Sequence, residues 1–93
     1  MADATYTRGA RGNQAKPEVR VIADVATVAK NSRECYRIRI IEISGQRYAD
    51  LRIFFETPSG ELRPTGKGVA MRIDPLREVV AGLVEAGKRL GRA

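Results

Sequence analysis

The stretch from Tyr48 to Glu56 does most to limit what this chain can become. It alternates with the period of a strand. Ala49, Leu51, Ile53 and Phe55 fall on one side, and Tyr48, Asp50, Arg52 and Phe54 on the other. Ser44-Gly45-Gln46 before it reads as a tight hairpin turn, with Gly45 free to take a positive φ. Thr57-Pro58-Ser59-Gly60-Glu61 after it is a second turn signal. A strand closed by turns at both ends pairs with its neighbours in sequence, which predicts an antiparallel meander.

The other elements extend that plan. Val19 to Val28 is rich in valine and reads as a strand. Its register stays ambiguous, because Ile22 and Val28 interrupt the face of Val19, Val21, Ala23 and Val25. Lys30 to Glu34 is a polar connection. In a second strand, Cys35 to Ile43, Arg37 and Arg39 lie opposite Tyr36, Ile38 and Ile40. Leu62 to Gly68 reads as a basic, glycine-containing loop, and Val69 to Ile73 as a short fourth strand. A helix follows, with Asp74 as N-cap, Pro75 at its first helical position and Gly91 as its stop. Leu76, Val79, Val80, Leu83, Val84 and Leu90 form one apolar stripe. Gly82 and Gly87 weaken the helix by roughly 1 kcal/mol each relative to alanine, and small residues there suit a close helix approach. The predicted fold is α+β: a four-stranded antiparallel sheet, then one C-terminal helix covering one face. Arg37, Arg39, Arg52 and the aromatics would occupy the open face. Met1 to Pro17, with Arg8, Arg11 and Lys16, reads as a disordered basic arm, and residues 18–93 as a single binding domain.

Composition narrows the chemistry. Seventeen basic residues, thirteen of them arginine, against eleven acidic ones give a net charge of +6, which favours an anionic partner. Arginine's planar fork suits phosphates and bases better than the point charge of lysine. There is no histidine, and Cys35 is the lone cysteine, so acid–base, thiolate-cluster and disulfide chemistry lack their usual parts. Asp24, Asp50 and Asp74 have no spacing that groups them, and Gly60 to Lys67 does not make a phosphate-binding Walker loop. A non-enzymatic protein without cofactor is expected. With no leader-like apolar segment near Met1, an intracellular location is expected, in nucleoid, cytoplasm or nucleus.

The Tyr48–Glu56 strand sets aromatics beside an arginine on a basic surface, the arrangement by which proteins stack bases and neutralise phosphates of single strands. Each residue has a plainer alternative. Tyr48 could cover a sheet edge, and Arg52 could pair with Asp50 or Glu56. Of Phe54 and Phe55, alternation exposes Phe54, whereas a bulge would expose Phe55. Lys67 between Gly66 and Gly68 is a loop charge with bare backbone around it. Arg77, Lys88 and Arg89 are scattered on the helix, so no basic helix suits a duplex groove. An RNA-binding module or a peptide-docking adaptor would use the same face.

From Tyr36 to Leu83 the chain resembles the single-stranded DNA-binding C-terminal domain of the transcriptional positive cofactor 4 (p15) family. The resemblance runs through Ser44-Gly45, Asp50-Leu51-Arg52, Phe54-Phe55, Pro58-Ser59-Gly60-Glu61-Leu62-Arg63-Pro64, Gly66-Lys67-Gly68-Val69 and Asp74-Pro75. It implies a curved sheet and a homodimer joined through helices and final strands, with antiparallel channels for DNA. It implies Arg52 on phosphates, Phe55 as the stacking ring, Lys67 on the backbone and hairpin contacts near Ile43 to Gln46. Family members often carry lysines around the hairpin glycine, where this chain has Ser44 and Gln46. Affinity is therefore expected to lean on Arg37, Arg39 and Arg47, with Tyr48, Phe54 and Arg63 as secondary contacts. Met1 to Lys30 has no counterpart of the family's serine-rich acidic regulatory segment. The resemblance further implies a transcription cofactor that meets single-stranded DNA or melted duplex, together with transcription machinery; RNA remains the alternative partner of the same face.

Overall fold

The computed structural model describes residues 18–92. The predicted arm, Met1 to Pro17, lies outside them. Four strands, β1 (Val19–Ala29), β2 (Glu34–Ile43), β3 (Gln46–Glu56) and β4 (Leu62–Met71), precede one helix, α1 (Ile73–Arg92). The strands form one antiparallel sheet in chain order, as the turn signals predict.

The β2–β3 hairpin sets the register. Ser44 (φ 52°) and Gly45 (φ 79°) both adopt the left-handed conformation, and Ile43 pairs with Gln46. The turn thus has two central residues and a twist that suits the strands, and Gln46 belongs to β3. Pairing runs unbroken from Ile43–Gln46 to Glu34–Phe55. One face therefore carries Cys35, Arg37, Arg39 and Ile41 beside Tyr48, Asp50, Arg52 and Phe54. The other carries Tyr36, Ile38 and Ile40 beside Ala49, Leu51, Ile53 and Phe55. Between β1 and β2, Asn31 Oδ1 accepts from the amides of Arg33 (2.9 Å) and Glu34 (2.8 Å). Between β3 and β4, Gly60 (φ 91°) takes the left-handed corner, and Thr57 Oγ1 accepts from the Glu61 amide at 3.1 Å.

Both edge strands are irregular. The β1 register shifts twice, between Val21 and Ala23 and between Asp24 and Ala26, which accounts for its ambiguous sequence pattern. On β4, Gly68 pairs with Arg52 and Pro64 with Phe54, leaving Thr65, Gly66 and Lys67 opposite Ile53. Thr65 Oγ1 closes the bulge by donating to the Ile53 carbonyl at 2.7 Å.

Three local expectations are corrected. Leu62 to Gly68 is strand rather than loop. Pro64 is tolerated because β4 is an edge, and Gly68 is where backbones approach closely: a Cβ there would lie 2.5 Å from the Leu51 carbonyl oxygen. The helix begins at Ile73, with the Leu76 amide donating to the Arg72 carbonyl (3.0 Å). Asp74 and Pro75 therefore both lie in the first turn. There a carboxylate favours the free amides, and proline's missing N–H costs nothing. Gly91 does not stop the helix, which continues to Arg92.

A further correction concerns the core. The buried residues Cys35, Ile41, Asp50 and Phe54 all lie on the face expected to be open. Among the described residues none of α1 is buried, so the apolar sheet face has little cover. Tyr36, Ile40, Phe55 and Val69 on that face remain exposed. The charged face closes over itself, because long arginine stems can lie flat across neighbouring side chains. No helix among the described residues is long and apolar enough to cross a membrane.

Candidate nucleic-acid interface

The centre of the charged face is Asp50, whose side chain is 0% exposed. Alternation places Arg52 on the same face of β3, and the hairpin register sets Arg39 opposite Asp50 and Arg37 opposite Arg52. Arg52 donates from Nη2 to Asp50 Oδ1 at 2.7 Å and from Nε to the same carboxylate at 3.2 Å. Arg39 donates from Nη2 and Nε to Oδ2 at 2.9 and 3.3 Å. A buried carboxylate is costly unless its lone pairs are filled, and here both oxygens are engaged by cations. Arg52 Nη1 also donates to the Thr65 carbonyl at 3.3 Å, which ties the cluster to the β4 bulge.

Phe54 forms the floor. It is 4% exposed, with the guanidinium carbons of Arg37 and Arg39 at 4.8 and 5.2 Å from its ring centroid. Those distances fall within cation–π range. Arg37 Nε donates to Thr27 Oγ1 on β1 at 3.3 Å. The result is a layer of three guanidiniums spanning β2 and β3, with Arg39 and Arg52 held by Asp50 at its centre and Arg37 and Arg39 lying over Phe54. Arg39 and Arg52 keep 13% and 20% of their side chains exposed, so each still reaches solvent. Three cations against one carboxylate leave the patch positive.

The remaining sequence candidates are spread more widely. Tyr48 is half-buried on the arginine face, opposite Ile41. Phe55, 38% exposed, lies on the other face, between Glu34 on β2 and Arg63 on β4. The bulge lies in β4, so β3 keeps its phase, and Phe55 does not join Arg37, Arg39 and Arg52. Phe54 does join them, but its ring is covered. Lys67 is exposed in the β4 bulge, and its charge reaches Glu34. The Glu34 carboxyl is held below its ordinary value, chiefly by the hydrogen bond from Asn31, then by Lys30, with a smaller contribution from Lys67. Arg63 pairs with Glu61 at 3.3 Å, and Arg47 lies 3.9 Å from Glu42. Such exposed pairs are weak and leave both arginines available.

By sequence alone Asp50 is only a possible partner for Arg52, and its role as common anchor does not emerge. The signal was present: once Ser44-Gly45 forms a two-residue turn, counting outward puts Arg39 across from Asp50. Thr27 and Thr65 had no such signal, since both depend on bulges. Among the described residues no acidic or cysteine cluster is placed to hold a metal ion.

An antiparallel meander with a terminal helix and an arginine layer on one sheet face defines a small α+β domain built around a basic sheet surface. Residues 30–82 match the family model described as Transcriptional Coactivator p15 (PC4). The fold is similar to two crystal forms of BPSL1147, a PC4 homolog from Burkholderia pseudomallei K96243. The tetragonal form has 31% identity and a TM-score of 0.65, covering 69% of this chain and 94% of that one. The orthorhombic form has 31% identity and a TM-score of 0.63, covering 80% and 96%. Comparison with curated protein sequences gives no match. The chain belongs to the PC4/p15 family, a family of DNA-binding cofactors rather than enzymes.

Proposed function

We propose that this protein binds single-stranded DNA with little sequence selectivity, using the Arg37–Arg39–Arg52 layer for phosphates. The observation that carries this reading is the guanidinium layer itself, held in place around a buried carboxylate with donors left over. Fixed guanidiniums match phosphate oxygens in pairs. Arg47 near the hairpin and Arg63 beside Phe55 lie on the opposite face, and with Lys67 in the β4 bulge they add positive charge at both ends of the sheet. Phe55 lies three residues beyond Arg52, about 10 Å along the strand. That ring is on the opposite face from the arginine layer, so a base stacks on it where a strand leaving the layer turns around that end of the sheet. Such stacking needs unpaired bases, so duplex DNA is the poorer ligand.

The functional unit is a homodimer. Val79, Val80, Leu83, Val84 and Leu90 are all exposed on one helix, and Val69 is exposed on β4. An uncovered stripe of that kind on so small a domain favours a second copy. Its family supports a role as a transcription cofactor acting on melted duplex alongside the transcription machinery.

Fluorescence titration of labelled single-stranded DNA, duplex DNA of equal length and matched RNA tests the reading. The expected order places single-stranded DNA well ahead of duplex, with affinity falling steeply as salt rises. Equal affinity for single strand and duplex sinks it. RNA winning the competition would make the protein an RNA-handling module instead.

A further inference from the structure

On charge alone, Asp50 is misplaced: it puts an anion at the centre of a face that is to receive phosphates. We propose that Asp50 is a positioning residue, fixing Arg39 and Arg52 in the orientation that receives phosphate before any nucleic acid arrives. The inference rests on the single-strand-binding reading of this face and concerns how that face works.

The hydrogen bonds define what Asp50 does. Arg52 uses Nε–H and one Nη2–H on Asp50 and one Nη1–H on the Thr65 carbonyl. One N–H on each of its terminal nitrogens stays free. Arg39 uses Nε–H and one Nη2–H, leaving both Nη1 hydrogens and one on Nη2. Each guanidinium is therefore gripped along one edge and keeps donors for a second acceptor. Asp50 itself is fully buried, so phosphate meets the donors and not the carboxylate. Without that grip, two long side chains would have to be ordered when DNA binds, a cost otherwise met during folding.

The substitution Asp50→Asn separates this role from plain electrostatics, because the two predict opposite signs. The side chain keeps its shape and the face gains one unit of positive charge. Electrostatics alone predicts tighter binding and a steeper salt dependence. Loss of positioning predicts binding to a fluorescein-labelled oligothymidylate about tenfold weaker, on the scale of ordering two arginines, with no steeper salt slope. Cys35→Ala, which loosens the same face but removes none of the hydrogen bonds of Arg39 or Arg52, serves as the control for general destabilisation and keeps wild-type affinity. A folded D50N protein that binds as tightly as wild type, or more tightly, overturns Asp50's role alone. Wild type that fails to bind the oligothymidylate overturns the single-strand reading and this role with it.

A measurement on the unmodified protein covers the case in which D50N does not fold. The Nε–Hε signals of Arg39 and Arg52 should exchange with water far more slowly than that of Arg47, before any DNA is added. Exchange as fast as that of Arg47 overturns the proposal.

Discussion

Gly68→Ala tests the register and the arginine layer together. Gly68 pairs directly with Arg52, and a Cβ on it would fall 2.5 Å from the Leu51 carbonyl oxygen, 2.8 Å from Arg52 Cα and 3.0 Å from Arg52 Cζ. The nearest two atoms are backbone, so no side-chain rotation relieves the clash; β3 and β4 must move apart. Overpacking of this kind costs about 1–3 kcal/mol, and two backbone contacts place Gly68→Ala near the top of that range. Replacing glycine also restricts the unfolded chain, which returns about 0.4–1 kcal/mol. The net expectation is a loss of about 2 kcal/mol, or a fall in Tm of roughly 8–16 °C for a domain this small. Urea denaturation at fixed protomer concentration measures it, with Gly66→Ala as control. A Cβ at Gly66 meets nothing within 4 Å, so that variant should match wild type or gain slightly. If Gly68→Ala is as stable as Gly66→Ala, the β3–β4 pairing described above is wrong.

The two phenylalanines should separate stability from binding. Phe54→Ala removes a ring that is 4% exposed and should cost about 3–5 kcal/mol in denaturation. Phe55→Ala should leave the midpoint nearly unchanged while weakening single-strand binding by about 1–3 kcal/mol. The Glu34 carboxyl is lowered from its ordinary value of 4.5, so its contribution to stability is complete above that pH and fades as pH falls through the lowered value. Glu34→Gln should therefore flatten the acid limb of the stability–pH curve below about pH 4.5. Lys30 is raised from 10.5, so its contribution is intact below that pH and fades only as pH climbs through the raised value. Leu83→Glu places a charge in the exposed helix stripe and should convert a sedimenting dimer to monomer; a wild-type chain that is already monomeric at micromolar concentration refutes the dimer.

The architecture could be read from the sequence because its signals are local. The Ser44-Gly45 turn, the alternation from Tyr48 to Glu56 and the spacing of Leu76, Val79, Val80 and Leu83 each depend on neighbours a few positions away. What failed was non-local. Pro64, Gly66 and Gly68 look like loop punctuation until an edge strand and a close backbone approach account for Pro64 and Gly68. The burial of Phe54 under two arginines reverses the simple rule that a charged face is an open one, and only the cross-strand register reveals it. Strict alternation keeps Phe55 away from Arg52, and only a bulge in β3 would bring them together. A bulge exists, but in the partner strand, where it leaves the phase of β3 untouched.

The central claim is that phosphates bind on the Arg37–Arg39–Arg52 face while an unpaired base stacks at the end of β3. A crystal structure with a short single-stranded oligonucleotide tests it most directly. Phosphate oxygens should lie within hydrogen-bonding distance of Arg39 and Arg52, with the Asp50 pairs intact and a base against the Phe55 ring. An oligonucleotide lying along α1, or one that leaves the arginine layer in contact only with solvent, would contradict it.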